Sequence, residues 1–444
     1  MGRVKWIVLF AVATLLISSY NMKTPSFAQT TPTITTPSSI NAPPAGALVV
    51  PDNYQTIQAA IGNASNGDTV FVKDGTYNYS AYFYLDGIII YKSLSLVGED
   101  SQKTIIQPLF NGGPYPARSA ITVTADNVTI SGFTIDGAVY NTPGITFSNG
   151  STLSAQSFPF MGNGIFVGGT NCRVIGNNIV NFIIAGVKCG AENSLISQNN
   201  ITDIISGNRI DTGIIVLSSD SIISNNNITG IGSIGISVGS SKNVSIYQNN
   251  IVGNGFSKST TVVNALGGLS LSSNGSCNIY ENNIEGNFGF GIEFAQSSNA
   301  LIHNNNIIQN GFGINLVNYE FASRNVTGGL GNKVYYNNII ENSKNAFVQH
   351  SYEFNVTPNN NGTDIVSCDN GAVGNYWNDY HGKGAYVIDQ DNIDHYPLTQ
   401  QVNISNSAPV AGISMIIISI FAVVVVLIVL VVSLLFYRAH RKTS

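Results

Sequence analysis

The sequence predicts an all-β solenoid: one chain wound into stacked coils of short parallel strands. Three observations predict it. The tripeptide Asn-Asn-Ile recurs with its last residue at Ile179, Ile201, Ile228, Ile251, Ile284, Ile307 and Ile339, at intervals of 22, 27, 23, 33, 23 and 32 residues. A base period of 22 to 23 residues with insertions marks a repeat architecture rather than several separate domains. Within the repeats apolar and small polar residues alternate, as in Gly235-Ile236-Ser237-Val238 and Asn243-Val244-Ser245-Ile246, which is the period of a strand. The Leu-x-x-Leu-x-Leu pattern of a leucine-rich repeat is absent. Each repeat is therefore one turn of a single-stranded parallel β-helix, with three short strands per coil and coils stacked at about 4.8 Å. The Ile residues form an inward column. The second Asn of each tripeptide is expected at a bend, in the left-handed conformation, stacking as an amide ladder. The 44 residues from Ile135 to Ile179 fit two base periods or one coil with a long insertion.

Composition agrees with an exported solenoid. Charged residues make up 10% of the 444, against roughly 25% in an ordinary soluble protein. Hydrophobic residues make up 43%, enough for a core. The net charge of −5 and the lack of a long basic block argue against a nucleic-acid partner. Four Cys cannot be a disulfide scaffold. Cys172 and Cys277 share one phase of the repeat but lie four coils apart, roughly 19 Å, so they are expected unpaired.

In chain order, residues 1–28 read as a signal peptide: Arg3 and Lys5, an apolar run from Trp6 to Ile17, then Ser26-Phe27-Ala28. An uncleaved anchor is the other reading of the same run. Residues 29–48 are Thr, Ser and Pro-rich and too poor in apolar residues to fold. The β-helix domain occupies 49–398, with an N-terminal cap over 49–77 and a C-terminal cap over 371–398. Tyr54, Ile57 and Ile61 fall on one face of a short helix that plugs the N-terminal end. A linker, 399–410, leads to 411–437, an apolar stretch longer than the roughly 20 residues that cross a bilayer as a transmembrane helix. Arg438, His440, Arg441 and Lys442 in the tail, 438–444, place the C-terminus in the cytoplasm. The expectation is an extracellular or cell-surface protein with a single membrane pass. Twelve N-x-S/T sequons fit export; Asn200 and Asn227 are expected unmodified because their amides serve the ladder, with Asn63, Asn149 and Asn361 better placed for a glycan.

Pro51-Asp52-Asn53-Tyr54-Gln55-Thr56-Ile57-Gln58-Ala59-Ala60-Ile61, followed by Gly67-Asp68-Thr69-Val70 and Gly75-Thr76-Tyr77, resembles the opening segment of right-handed parallel β-helices of the pectin-lyase-like class. Gly374-Asn375-Tyr376-Trp377-Asn378-Asp379-Tyr380 and Asp394-His395-Tyr396-Pro397-Leu398 resemble the closing segment of NosD-like surface and periplasmic proteins. The resemblance spans roughly residues 50–398 and implies a right-handed coil. It leaves function open, because this fold hosts lyases, hydrolases, epimerases, adhesins and accessory proteins.

Three insertions fall at one corner of the coil: 137–162, 203–211 and 254–267; a fourth, 318–330, falls at another. Loops on one face of a solenoid form its usual binding surface. Tyr140 on the first, Asp203, Arg209 and Asp211 on the second and Lys258 on the third are the candidate binding residues. Asp203, Arg209 and Asp211 are also the catalytic candidates, since a lyase needs a base and a hydrolase two carboxylates about 5–10 Å apart. The bland alternative is an Asp203–Arg209 pair across the loop. Asp389, Asp391 and Asp394 are weak candidates for calcium, otherwise part of an aromatic cap with Tyr376, Trp377, Tyr380, Tyr386 and Tyr396. No cofactor is otherwise expected. The copper-site maturation associated with NosD-like proteins finds no Met, Cys and His cluster here. The expected partner is a cell-surface or environmental polysaccharide or an envelope component, with polysaccharide cleavage and metal maturation as alternatives.

Overall fold

The computed structural model describes residues 42–81, 86–110, 118–137, 145–146, 152–153, 162–204, 211–256, 266–272, 275–295, 297–318, 330–350 and 366–404. The chain divides into units 1–33 and 34–444, and all the described residues belong to the second. The signal segment, Tyr140, Arg209, Lys258 and the stretch 411–437 lie outside the described residues. Among those described, no helix is long and apolar enough to cross a membrane.

Three long parallel sheets run the length of the solenoid, and each coil contributes one strand to each. Sheet A has twelve strands, from Leu48–Val50 to Val366–Ser367; sheet B has eleven, from Gly75–Ala81 to Tyr376–Trp377; sheet C has ten, from Ile88–Ile90 to Lys344–His350. The Ile of each Asn-Asn-Ile is the middle of a sheet B strand. Ile135, Ile179, Ile201, Ile228, Ile251, Ile284, Ile307 and Ile339 follow one another in register, all fully buried. Ile135 pairs directly with Ile179, so the 44-residue interval is one coil with a long insertion.

The amide ladder exists, but on the first Asn of the tripeptide rather than the second. Asn177, Asn199, Asn226, Asn249, Asn282, Asn305 and Asn337 are at most 1% exposed. Each Nδ2 donates to the Oδ1 of the next coil at 2.9–3.2 Å and to a backbone carbonyl of the coil before, as Asn249 does to Asn282 and Ile223. The left-handed residue is the one before the pair: Gln198, Asn225, Gln248, Glu281, Asn304 and Tyr336, at φ 54–59°. One residue turns the corner there, and the amide that follows is then fixed by its bonds. The second Asn opens the strand and builds an outer ladder of opposite sense, with Asn227 donating to Asn200, Asn250 to Asn227 and Asn283 to Asn250. A third ladder, Asn254, Asn287, Asn310 and Asn342, takes over at the corner between sheets B and C where Phe182, Ile204 and Ile231 end.

Both ends are closed by side chains that imitate a further coil. Helix α1, Ile57–Asn63, starts at Thr56, whose hydroxyl accepts from Ala59 N at 3.1 Å, and buries Ile57, Ala60 and Ile61. Lys92 Nζ donates to the carbonyls of Gly62 and Ala64 at its end, 2.7 Å each. The Gln58 amide pairs with both backbone groups of Ile89 on the open edge of sheet C. At the other end Trp377, 1% exposed, stacks on Tyr386 at 4.2 Å. The inner ladder continues to Asn375 and stops at Asp394, whose Oδ2 accepts from Asn375 N at 2.7 Å and Trp377 Nε1 at 2.8 Å. All four Cys are buried thiols, and Cys172 and Cys277 belong to sheet A positions separated by the Ser194, Ser221 and Val244 coils.

Replacing Asn249 by Leu leaves the Asn226 N–H and the Ile223 carbonyl without partners inside the core. We expect a loss of about 3 kcal/mol or more, read as a lowered urea midpoint, whereas Gln248→Gly, at the strained φ, should cost little or stabilise. Asn227 gives its Nδ2 to Asn200 and accepts from Asn250. Intact-glycopeptide mass spectrometry should therefore find its sequon empty; high occupancy would contradict the outer ladder.

Candidate functional site

The insertions do not ring the solenoid; they border sheet C. Between sheet B and sheet C strands lie 82–87, 111–118, 137–162, 203–211 and 253–266. The structure thus adds two to the three inferred for this edge, and places an antiparallel pair, Ile145–Thr146 with Thr152–Leu153, inside the longest. At the opposite edge, between sheets C and A, lie 319–331 and 351–365. Sheet C is therefore the face with extra chain rooted along both sides.

Its outward side chains also differ from those of the other sheets. Thr122, Phe166, Lys188, Ile215, Ser237, Ser270, Glu293, Asn315 and Phe347 succeed one another in register along one row. Sheet strands normally wet their outward residues, and those of sheet A alternate between buried and open positions. On sheet C, Ser119–Val123, Gly267–Leu271 and Phe290–Phe294 are buried at every position. On sheet A the outward Tyr247, Tyr280, His303 and Tyr335 stack face to face at 5.0–5.5 Å. Their ring faces are engaged with one another, which makes that row a seam between coils.

Glu293 is the carboxylate of this row and is 2% exposed. Ser270 Oγ donates to its Oε2 at 3.0 Å from one neighbouring coil, and Asn315 Nδ2 to its Oε1 at 3.2 Å from the other. Burial, opposed by these two hydrogen bonds, raises its pKa from 4.5 to about 7. Among the described residues no second carboxylate occupies a neighbouring position of the row, so a two-carboxylate hydrolysis has no pair here. Periodicity alone puts Glu293 outward in Gly291-Ile292-Glu293-Phe294. A lone charge there reads as a solvated residue, and its burial is the part sequence cannot show.

The sequence-predicted cluster is not assembled. Asp203 is exposed, at φ 55°, at the start of its insertion. Asp211, at the end, is fully buried and accepts from Ser233 Oγ at 3.1 Å. The two carboxylates sit in opposite environments, so they are not a matched acid–base pair; Arg209 between them, with Tyr140 and Lys258, lies outside the described residues. The acidic tail is likewise divided. Asp394 is buried under Trp377, while Asp389 accepts from the backbone and side chain of Asn392 and from Asp391 N. Among the described residues no group of three His, Cys, Asp or Glu side chains is placed to hold a metal ion.

The raised Glu293 pKa has a sign that can be checked. Its proton is held in the folded state after the unfolded chain has released it. The stability contributed by the neutral form is complete below pH 4.5 and is lost as the pH rises to about 7. Glu293→Gln should match the wild type at pH 4 and exceed it by about 3 kcal/mol at pH 8, measured by chemical denaturation. Equal pH slopes for the two proteins would contradict this environment.

Residues 185–361 match a family model described as a right handed beta helix region, and residues 46–212 match one described as a protein of unknown function, DUF1565. No curated protein matches the chain. Among solved structures, ORF18 of Geobacillus virus E2 is 14% identical with a TM-score of 0.46, over 75% of this chain and 60% of that one. The mannuronan C-5 epimerase AlgE6 A-module of Azotobacter vinelandii is 18% identical with a TM-score of 0.46, over 70% and 87%. The pectate lyase Pel9A is 14% identical with a TM-score of 0.42, over 68% and 76%. Family match, three parallel sheets and one strand per sheet in each coil together identify the chain as a right-handed parallel β-helix repeat protein.

Proposed function

We propose that this chain is an exported, membrane-tethered β-helix that binds an extended polysaccharide along the outward face of sheet C. The observation that carries this reading is the asymmetry of the three sheets: insertions are rooted along both edges of sheet C and of no other. A row of parallel positions at about 4.8 Å spacing offers a polymer the same contact repeatedly, which suits a chain ligand better than a compact one. Phe312 and Phe347 stack at 4.8 Å near the C-terminal end of that face, with Lys344 Nζ 4.3 Å from the Phe347 ring centre.

The tether rests on the sequence of residues 411–437 and on one structural feature beside it. Asn338 closes the outer ladder by pairing with both backbone groups of Val402, at 2.8 and 2.9 Å. The linker is thereby fastened to the last coil, and a short stretch separates that point from the apolar segment. The NosD-like closing segment fits a surface protein. Metal maturation is less favoured, because His303 lies between Asn304 and Asn278 and His395 is bound to Asp369. A proton-transfer enzyme is the second reading, favoured by Glu293 alone: a carboxyl with a pKa of about 7 is matched to neutral-pH acid–base work.

The test uses the full chain in detergent micelles on an immobilised polysaccharide panel, with reducing-end and unsaturated-product assays alongside. Ser237→Trp fills the sheet C row and should weaken retention at least about tenfold, while Ser245→Trp on sheet A should not. Equal retention by wild type and Ser237→Trp would remove sheet C as the binding face. Turnover abolished in Glu293→Gln would establish the second reading instead.

A further inference from the structure

The first strand of each sheet has no coil before it, so the solenoid begins with three strand edges. Alternate residues of a parallel strand turn their backbone groups to opposite neighbours, and every second residue of a first strand therefore faces the open side. In sheet A that residue is Val49. Its N–H donates to Asn53 Oδ1 at 2.8 Å, and its carbonyl accepts from Asn53 N at 2.7 Å. In sheet C it is Ile89, bonded on both groups by the Gln58 amide. In sheet B, Gly75 N donates to Lys103 O of the following coil at 3.0 Å, which turns Thr76 and Asn78 to the open side. Among the described residues nothing covers the backbone N–H and C=O groups of these two. Their strand, Gly75–Ala81, has seven residues, against three in Leu48–Val50 and three in Ile88–Ile90. The longest of the three edges is the bare one.

That edge borders a cleft of about 580 Å³. Gln55 and Ile57 line it from the start of helix α1, and Asp86 and Ile88 line it beside the first strand of sheet C. Thr76, Asn78 and Gln55 are exposed, so solvent reaches the edge. Asp86 is half-buried and makes no ion pair among the described residues. Helix α1 covers the end of the core, which blocks the stacking of a second solenoid and leaves access for a single extended strand. Residues 29–41 of the chain itself contain no Lys or Arg to match the carboxylate.

We propose that the open edge of Gly75–Ala81 docks an extended segment of a partner protein, which adds one strand to sheet B and sets a basic side chain against Asp86. Main-chain bonds to Thr76 and Asn78 supply the affinity, and the side chains that alternate along the added strand supply the choice of partner. Unpaired edges are hazards that natural proteins cover. Here two are covered by amide side chains, and the third is left open beside a carboxylate without a cation. The site is separate from the outward face of sheet C and does not depend on a glycan being bound there.

The probes are a heptapeptide of alternating threonine and valine with a central lysine, its glutamate-centred counterpart, and a backbone N-methylated form of the first. Each is titrated against the full chain in micelles by fluorescence anisotropy. The lysine peptide should bind, and the N-methylated form at least about tenfold more weakly. Thr76→Pro removes an outward N–H without breaking a ladder bond, so affinity should fall by a similar factor at an unchanged melting temperature. Asp86→Lys, which leaves the edge intact, should move the preference to the glutamate peptide. Hydrogen exchange should find the Thr76 and Asn78 amides faster than those of Val49 and Ile89 in the free chain, and slowed by the lysine peptide. No binding by the lysine peptide, equal binding of the N-methylated form, or an unchanged preference in Asp86→Lys would overturn the proposal. Slow exchange at Thr76 and Asn78 in the free chain would overturn it too, since a second copy or residues 29–41 would then already occupy the edge.

Discussion

The structure depends on the inner asparagine ladder. A coil of this solenoid has to turn between sheets A and B within one left-handed residue, which leaves backbone groups at the corner with no strand partner. Each buried Asn answers this from three directions: its Oδ1 takes a backbone N–H and an Nδ2–H of the coil before, while its own Nδ2 reaches both neighbouring coils. An apolar side chain brings neither donor nor acceptor to that corner, and a charged one could not be stacked on copies of itself at coil spacing. The period near 22 residues follows from the requirement that the amide return to the same place. Extra residues are admitted only where they do not disturb it, which is why the insertions gather at the two edges of sheet C.

That segregation separates the repeating seams from the irregular face. Sheets A and B carry the seams: ladders on one side, stacked Tyr247, Tyr280, His303 and Tyr335 on the other. Sheet C carries the irregular chemistry. Its outward row changes from Thr122, Phe166 and Lys188 to Ser270, Glu293 and Asn315 without disturbing the inward Ile165, Val187, Ile214 and Ile236 behind it. An outward row can change on such a wall at little expense to folding, since alternate residues face away from the core.

Much of the fold is legible in the sequence because the ladder and the Ile column repeat. The misplacement of the ladder by one residue has a simple cause, since both residues of the pair are Asn and either could stack. Counting back from Ile179 by the period of a strand puts Asn178 outward and Asn177 inward, so the alternation itself holds the answer. The site was less legible. Asp203, Arg209 and Asp211 attract notice as a local charge cluster, but an irregular segment has no periodicity to say which way a side chain faces. Asp211 is in fact buried against Ser233. Glu293 and Thr122 could be assigned to the outward side from alternation, yet their burial depends on the chain as a whole.

Every amide of the inner ladder points the same way, and Asp394 receives the last of them. The stack is therefore a polar object with a negative group at its donor end, comparable in electrostatic sense to an anion at the start of a helix. Any internal coil presents the same acceptor to the coil before and the same donor to the coil after. Duplicating or deleting one whole coil leaves every remaining bond with an equivalent partner, whereas the two ends cannot be exchanged or joined to each other. The length of such a molecule can drift by unequal recombination in steps of one coil, while its termini stay fixed.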